Sequence, residues 1–249
     1  MTLIGDPQDL VKAIHGAMKS ERALIQEQKS DRLALSAIGG CERNLWATVH
    51  GVPESSGRGF SGRMLVLFSL GDAIEFQIVG LLRKAGCIVE DVDPLTNEQF
   101  RVVVGDLASG RLDGKIYVKP DDPEPALLEI KSANSKSFGK LWGTGYEKWN
   151  PKYAAQIQIY MRLAGLKSAV VIVENKDDSE LYVEGILLDE EAADALIAKA
   201  MRVTTSEDVL PRPVEAKSPS CSFCKWCPRI KWCWFPTQEE KAVRKGGKP

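Results

Sequence analysis

The segment Leu127-Leu-Glu-Ile-Lys-Ser132 decides the fold of this chain. Its leucine and isoleucine residues predict a buried strand over residues 126–132. In a strand, side chains two residues apart point to the same face, so Glu129 and Lys131 lie side by side while Ile130 faces the core. The strand therefore presents a carboxylate and an ammonium group next to each other.

The segments on both sides of this strand have helical or strand periodicity. Helices are predicted from Pro7 to about residue 25 and over residues 41–46, 63–85, 151–164 and 190–201, and strands over residues 87–92, 100–106, 111–118, 169–174 and 181–188. Turn sequences separate the strands between residues 87 and 132, which predicts an antiparallel meander. The complete order predicts an α/β or α+β domain with a mixed central sheet flanked by helices.

The composition is that of an ordinary soluble globular chain. Its 249 residues are 44% hydrophobic and 27% charged, which excludes disorder, collagen and a small disulfide scaffold. We find no apolar run near the roughly 18 residues of a membrane span, and residues 1–10 lack the layout of a signal peptide. We therefore expect a cytoplasmic protein with no membrane partner. Residues 1–209 are predicted to form the main domain and residues 210–249 a cysteine-rich tail.

The net charge of −1 hides an uneven distribution. Residues 131–152 contain five lysines against one glutamate, and residues 217–249 contain eight basic residues against two glutamates. A local basic surface on a neutral protein suits contacts with phosphate groups. The alternative interpretation is a set of ordinary solvated lysines and a basic tail.

Aromatic residues are interleaved with lysines directly after the predicted strand. We predict that Lys136, Lys140 and Lys148 contact nucleic acid and that Trp142 stacks on bases, with Tyr146 as a further stacking candidate. The alternative is that the aromatic side chains pack over the following helix.

A second carboxylate is predicted to lie near Glu129. Asp113 ends the sequence Gly110-Arg-Leu-Asp113 and lies across the hairpin, from where it can reach the same end of the sheet. Two converging carboxylates bind a hard divalent cation, and a neighbouring lysine can position or help to deprotonate a water molecule. A Glu-x-Lys sequence alone is weak support for such a site, because surface strands carry it by chance.

Two helices supply further polar groups. Gln156 and Tyr160 are four residues apart on one face of the helix after the strand, where both can hydrogen-bond phosphate or the lysine. Glu75, three residues after Asp72 on the helix over residues 63–85, is a second source of a metal-binding carboxylate.

The order of these residues resembles the PD-(D/E)xK nuclease superfamily, in particular its RecB-like exonuclease branch, which has many phage-encoded members. The resemblance spans roughly residues 41–233 and rests on Glu75, Gly110 to Asp113, Glu129 to Lys131, and Gln156 to Tyr160. It implies a restriction-endonuclease-like core. Many members of the family carry histidine where this chain has Glu75.

The resemblance also implies roles for individual residues. Asp113 and Glu129 would bind Mg²⁺ or Mn²⁺ together with the main-chain carbonyl of Ile130, and Lys131 would act on the attacking water. Gln156 and Tyr160 would organise the site or the DNA strand.

Four cysteines lie close together in the tail, at positions 221, 224, 227 and 233. Clustered cysteines in a reducing compartment are more often metal or cluster ligands than disulfides. The spacing alone fits a tetrahedral zinc site or an iron-sulfur cluster, and does not decide between them.

The AddB-like and CRISPR-adaptation nucleases of this branch resemble this arrangement. They hold a [4Fe-4S] cluster with one upstream cysteine and three C-terminal cysteines spaced C-x2-C-x5-C, which Cys41, Cys224, Cys227 and Cys233 match. Cys221 is then surplus, and zinc or free thiols remain the alternatives. A cluster on these residues would staple the tail to Cys41 and close the domain as a ring.

The sequence therefore predicts a metal-dependent deoxyribonuclease, an exonuclease acting on single-stranded DNA or on DNA ends in recombination or repair. Its expected partners are DNA and a recombinase or single-strand-binding protein, in the host cytoplasm if the gene is phage-encoded. One alternative is a non-catalytic DNA-binding or assembly module on the same fold. Another is an enzyme that acts on RNA or on a structured recombination intermediate.

Overall fold

A computed structural model describes residues 7–27, 32–54 and 61–236 of the chain. The helices are α1 (Pro7–Glu27), α2 (Glu42–Val49), α3 (Gly62–Lys84), α4 (Ser135–Trp149), α5 (Pro151–Ala164), α6 (Glu190–Thr205) and α7 (Ile230–Trp234). The strands are β1 (Leu33–Ala34), β2 (Ile88–Glu90), β3 (Arg101–Val104), β4 (Ala108–Arg111), β5 (Gly114–Tyr117), β6 (Ala126–Ala133), β7 (Ser168–Asn175) and β8 (Leu181–Leu187).

The central sheet has five strands in the order β2-β5-β6-β7-β8. The pair β6-β7 is parallel and the other pairs are antiparallel, so the predicted mixed sheet flanked by helices is confirmed. A second sheet has the order β1-β4-β3, in which β1 and β4 are parallel.

The prediction of one strand over residues 111–118 is wrong, and with it the simple meander. The segment contains parts of two strands in different sheets, because the chain leaves β4 after Arg111 and enters β5 at Gly114. Leu112, between them, is buried and donates its N–H to the carbonyl of Phe100. This step places the Asp113 side chain beside Ile130, in the middle of β6.

Strand β6 is buried on both faces, which explains its continuous apolar sequence. Leu127 belongs to the main core, with residues from α4, α5 and α6. Leu128 and Ile130 belong to a second core on the opposite face, with Ile74 and Ile78 of α3. Glu129 and Lys131 therefore extend to the side of the sheet that α4 and α5 cover.

Helix α3 confirms the strongest helix prediction. It ends before Gly86, whose φ of 93° suits the glycine predicted at that position. However, α3 also corrects the expectation about membrane spans. Among the described residues it alone is long and apolar enough to cross a membrane, by length and composition only, and 22% of its most apolar stretch is buried. The expectation that no run approaches that length overlooked this segment, in which Asp72 and Glu75 are isolated charges. The C-terminal half of α3 packs against the sheet through Ile74, Ile78 and Val79.

The sequence interpretation did not predict helix α4. Three glycines, at positions 139, 143 and 145, lower the helix propensity of the segment. The side chain of Asn134 caps the first turn by accepting a hydrogen bond from the N–H of Ser137. The helix is interrupted at Gly145, whose φ of 75° and ψ of 166° lie outside the helical region.

Candidate active site

The two predicted metal-binding carboxylates come together at the middle of β6. Asp113 Oδ2 accepts a hydrogen bond of 2.8 Å from the N–H of Ile130, so the Asp113 side chain is held against the residue between Glu129 and Lys131. The Glu129 side chain is fully buried, and that of Asp113 is 15% exposed. The site is thus at the margin of the core, with one carboxylate inside it and one near the solvent.

The ammonium group of Lys131 lies among the oxygen atoms of this site. Its Nζ contacts Glu129 Oε1 directly, donates to the main-chain carbonyl of Ile130 at 3.2 Å and lies 3.8 Å from Asp113 Oδ2. Among the described residues, no three histidine, cysteine, aspartate or glutamate side chains form a group that could hold a metal ion. The oxygen donors that are present nevertheless fit a hard divalent cation, which prefers carboxylate and carbonyl ligands.

Gln156 of α5 fixes the buried carboxylate. Its Nε2 donates a hydrogen bond of 2.7 Å to Glu129 Oε1. The other oxygen, Oε2, is buried and has no hydrogen-bond partner among the described residues. Leaving such a buried acceptor unpaired costs about 1–3 kcal/mol, or more for a charged group, so Oε2 is the atom best suited to accept a ligand.

The environment shifts the pKa values of this ion pair. Burial raises the pKa of Glu129 to about 7, since the effect of Lys131 in the opposite direction is incomplete and Asp113 raises it further. Burial alone would lower the pKa of Lys131, but the carboxylates of Glu129 and Asp113 outweigh it and raise that pKa. Lys131 is accordingly a cation in this arrangement, and it neutralises part of the carboxylate charge.

Glu75 lies close enough to interact with the same groups. Its Oε1 accepts a hydrogen bond of 3.0 Å from Nε2 of Gln99. Burial and, next, the carboxylate of Asp113 raise the pKa of Glu75 to about 7, whereas Lys131 lowers it. The structure thus brings Glu75 near Asp113 and Lys131, although its side chain is bonded to Gln99.

Tyr160 is placed deeper in the core than a substrate-binding group. Its side chain is 1% exposed, its hydroxyl bonds the side chain of Ser36, and its ring lies against Gly110. Gln156 and Tyr160 therefore share a face of α5, as predicted, but Gln156 contacts Glu129 whereas Tyr160 packs under the Gly110 backbone.

Tyr146 is a site residue whose position the sequence did not reveal. It was a stacking candidate, yet it is fully buried, and its hydroxyl has no hydrogen-bond partner among the described residues. Burial and the neighbouring Glu129 carboxylate raise its pKa, which Lys131 lowers in part. The signal that could have identified it is the glycine before it, because Gly145 breaks α4 and turns Tyr146 inward.

The basic side chains predicted to contact DNA lie on α4. Lys136, Lys140 and Lys148 are exposed. Trp142 is 57% exposed and makes edge contacts with Phe138 and Tyr182. The helix that carries these residues also carries Tyr146, so it connects this exposed surface to the buried site.

The tail packs against helix α2. The rings of Trp46 and Trp232 stack with their centroids 6.3 Å apart. Arg229 donates hydrogen bonds to the carbonyl of Val52 at 2.7 Å and to Thr48 Oγ1 at 2.9 Å. These contacts bring the C-terminal cysteines to the start of α2, where Cys41 lies.

Four cysteines line one cavity between α2 and the tail: Cys41, Cys224, Cys227 and Cys233. The cavity has an empty volume of about 390 Å³, including space open to solvent. None of the six cysteines, all of which lie in the described residues, forms a disulfide. The four thiols offer the soft sulfur donors that zinc and iron-sulfur clusters prefer, although, as noted above, they do not form a ready-made metal group within the described residues.

Three of these thiols have a polar neighbour within the protein. Cys227 Sγ lies 3.6 Å from Oδ1 of Asn44, and Cys233 Sγ accepts a contact of 3.4 Å from Nε of Arg212. Burial, and next a hydrogen bond with Cys221, raise the pKa of Cys224 to about 11. Burial also raises the pKa values of Cys41 and Cys227. Cys221 is the surplus thiol of the predicted ligand set, and it pairs with Cys224.

Comparisons with known proteins find similarity at the level of the fold. No protein-family model matches the sequence, and no curated protein matches it. The crystal structure of SSO0001 is similar with a TM-score of 0.53 and 15% sequence identity, covering 88% of this chain and 93% of that chain. The crystal structure of LHK-Exo in complex with dAMP is similar with a TM-score of 0.50 and 16% identity, covering 71% of this chain and 87% of that chain. LHK-Exo is an alkaline exonuclease from Laribacter hongkongensis. The chain thus shares its fold with these two structures, one of which is that of an alkaline exonuclease.

Proposed function

We propose that this chain is a metal-dependent DNA nuclease and that it acts as an exonuclease on single-stranded DNA or on DNA ends. The observation that carries the proposal is the set of contacts at the middle of β6, where Asp113, Glu129, the carbonyl of Ile130 and Lys131 meet. The fold shared with an alkaline exonuclease supports it.

The residues divide the work of phosphodiester hydrolysis between them. Asp113, Glu129 and the Ile130 carbonyl would hold Mg²⁺ or Mn²⁺, with Glu75 as an additional carboxylate. When bound, the ion would polarise the phosphodiester and lower the pKa of a water molecule. Lys131 would orient that water and stabilise negative charge as it attacks.

Gln156 and Tyr160 act on the geometry of the site. The hydrogen bond from Gln156 holds Oε1 of Glu129, which leaves Oε2 to face a ligand. Tyr160 supports the backbone at Gly110, three residues before Asp113. The exposed Lys136, Lys140 and Lys148 would contact the phosphates of the DNA strand, with Trp142 stacking on a base.

A [4Fe-4S] cluster is our proposal for the cavity lined by Cys41, Cys224, Cys227 and Cys233, with zinc as the alternative. Its role would be structural, because it would join residues at the two ends of the domain.

Degradation of end-labelled linear DNA tests the nuclease proposal. Wild-type protein and Lys131→Ala are incubated with single- and double-stranded DNA in Mg²⁺, Mn²⁺ or EDTA. We expect loss of DNA with wild-type protein and metal only, and a rate about 10²- to 10⁴-fold lower for Lys131→Ala, as for loss of a group that assists proton transfer. The released label gives the polarity.

The same assay separates the nuclease from the non-catalytic module. DNA binding without metal-dependent loss of DNA would favour the module, provided that thermal unfolding shows both proteins to be folded. Equal degradation by wild type and Lys131→Ala would reveal a contaminating nuclease and contradict the site assignment.

A further inference from the structure

The Lys131 ammonium group contacts the same oxygen atoms that we assign as ligands of the divalent cation. Its Nζ touches Glu129 Oε1, donates to the Ile130 carbonyl at 3.2 Å and lies 3.8 Å from Asp113 Oδ2. An ammonium group and a divalent cation repel each other strongly at such short distances in a poorly solvated site. The Lys131 ammonium must therefore leave Glu129 when a cation binds there.

A displaced ammonium group needs another acceptor, because it carries three donors and is costly to bury unpaired. The Tyr146 hydroxyl meets this need. It is fully buried, has no hydrogen-bond partner among the described residues and interacts electrostatically with both Glu129 and Lys131. On the same side, the ring of Tyr153 lies 5.6 Å from Lys131 Nζ and offers its face to the cation.

We propose that Tyr146 is a positioning residue for Lys131. When a divalent cation binds the Glu129 carboxylate, the Lys131 ammonium group leaves it and donates a hydrogen bond to the hydroxyl oxygen of Tyr146. The inference rests on the proposed function, since it assumes a cation held by Asp113 and Glu129. In this arrangement Lys131 stays at the edge of the site, where it can orient the attacking water.

The fold holds the Tyr146 hydroxyl in place before any ligand binds. Gly145 interrupts α4 with a φ of 75°, and the N–H of Tyr146 donates a hydrogen bond of 2.9 Å to Oε2 of Glu184 on β8. The Tyr146 ring packs against Trp149 and Tyr153, with centroid distances of 5.7 and 6.4 Å. Because these contacts fix both the backbone and the ring of Tyr146, its hydroxyl stays in one place when Glu129 changes its partner. It can therefore serve as a stationary hydrogen-bond acceptor.

Affinity for Mn²⁺ alone, without DNA, tests the inference independently of activity. Free Mn²⁺ is measured by electron paramagnetic resonance in titrations of wild type, Tyr146→Phe, Lys131→Met and the double variant. Lys131→Met should bind Mn²⁺ more tightly than wild type, because the competing ammonium is gone. Tyr146→Phe should weaken Mn²⁺ binding about fivefold in the wild-type background and less than about twofold in the Lys131→Met background, which is the coupling expected of contacting residues.

Single-turnover cleavage of labelled DNA gives the second readout. Tyr146→Phe should slow cleavage about tenfold or more, as misplacement of a catalytic group does, while the KM for DNA stays within about twofold. Tyr117→Phe is the matched control, since it removes the same hydroxyl at the far end of β5 and should cleave at the wild-type rate. The midpoint of thermal unfolding of Tyr146→Phe should not fall, because the deleted hydroxyl has no partner in the metal-free protein.

The outcomes separate this inference from the proposed function. If wild type binds no Mn²⁺, or binds it no more tightly than Asp113→Ala does, the metal site is contradicted. The proposed function and this inference are then both overturned. If Mn²⁺ binds at Asp113 but Tyr146→Phe has the same effect in both backgrounds, or none in either, only the role of Tyr146 is overturned.

Discussion

Gly110 lies directly against the ring of Tyr160: a Cβ atom added at Gly110 would be 2.6 Å from both Cε1 and Cζ of that ring. The glycine that begins the Gly-x-x-Asp sequence is thus in contact with the tyrosine that ends the Gln-x-x-x-Tyr sequence. At the other end of the same two sequences, Asp113 and Gln156 each hold a part of β6, through Ile130 and Glu129. The two motifs interlock around the strand that carries the site.

We predict that Gly110→Ala destabilises the protein by about 1–3 kcal/mol, the usual cost of overpacking a core, because the Tyr160 ring must move. Chemical denaturation of wild type and variant measures this difference. Gly139→Ala is the control, since a Cβ atom at Gly139 meets nothing within 4 Å and alanine favours the helix. Equal stability of Gly110→Ala and wild type would show that Tyr160 is not confined by this contact.

Asp113 has a structural role and a chemical role that two substitutions separate. Asp113→Asn keeps an oxygen to accept from the Ile130 N–H but loses the charge, whereas Asp113→Ala loses both. We expect cleavage to fall at least about a hundredfold in both variants, since charge stabilisation by a metal contributes several kcal/mol. Only Asp113→Ala should also lose about 1–3 kcal/mol of stability, through the unpaired N–H.

Cleavage rates with Mg²⁺ and denaturation curves for the two Asp113 variants check this prediction. A rate for Asp113→Asn within about threefold of wild type would be incompatible with a role of the Asp113 carboxylate in holding the cation, because loss of a metal-ligand charge should cost far more than this.

The parts of this site that sequence reasoning predicted are those set by short-range periodicity. The alternation within β6 placed Glu129 and Lys131 together, and the helical spacing of α5 placed Gln156 and Tyr160 on one face. Both rules depend on the local backbone geometry alone. They give which side chains share a face, but not which partner each one meets.

Tyr146 and the division of residues 111–118 could not be predicted in the same way. Tyr146 depends on a break at Gly145 and on Glu184, which is 38 residues further along the chain. The step between β4 and β5 depends on the pairing of each strand with a different sheet. Neither long-range contact leaves a periodic signal in the sequence, so the sequence predicts neither feature.

Asp177 binds Ser135, the first residue of α4, and should therefore make the stability of the folded protein depend on pH. Its Oδ2 accepts hydrogen bonds from the N–H and Oγ of Ser135, at 2.8 and 2.7 Å. These bonds, the backbone one first, lower the pKa of Asp177. Because the folded-state pKa lies below the unfolded value of about 3.9, the stabilisation is complete above that value and is lost as the pH falls through the folded-state pKa.

We therefore expect Asp177→Asn to be less stable than wild type at pH 7 and the difference to shrink as the pH falls below about 4. Urea denaturation at several pH values measures it. Asp121→Asn, which alters an exposed carboxylate in a turn, should show no such trend. A constant difference between Asp177→Asn and wild type across this range would rule out the charge of Asp177 as the cause.

The cysteine cavity yields a prediction about metal content. If Cys41, Cys224, Cys227 and Cys233 hold one centre, then Cys41→Ser and Cys227→Ser should each lose the bound metal, although the two residues are far apart in sequence. Cys221→Ser, which removes the surplus thiol, and Cys87→Ser, which alters a cysteine packed against the second core, should keep it.

Elemental analysis and visible absorption of protein purified without oxygen measure this content, and thermal unfolding measures its effect on stability. We expect brown wild-type protein that contains iron and sulfide, and a loss of stability in Cys227→Ser larger than the roughly 1 kcal/mol of an average substitution, because binding free energy of the centre is also folding free energy. Colourless wild-type protein that contains zinc would replace the cluster by a zinc site on the same thiols. If wild-type protein contains no metal, side-chain contacts alone join the tail to α2. These include the stacking of Trp46 on Trp232 and the hydrogen bonds of Arg229 with Val52 and Thr48.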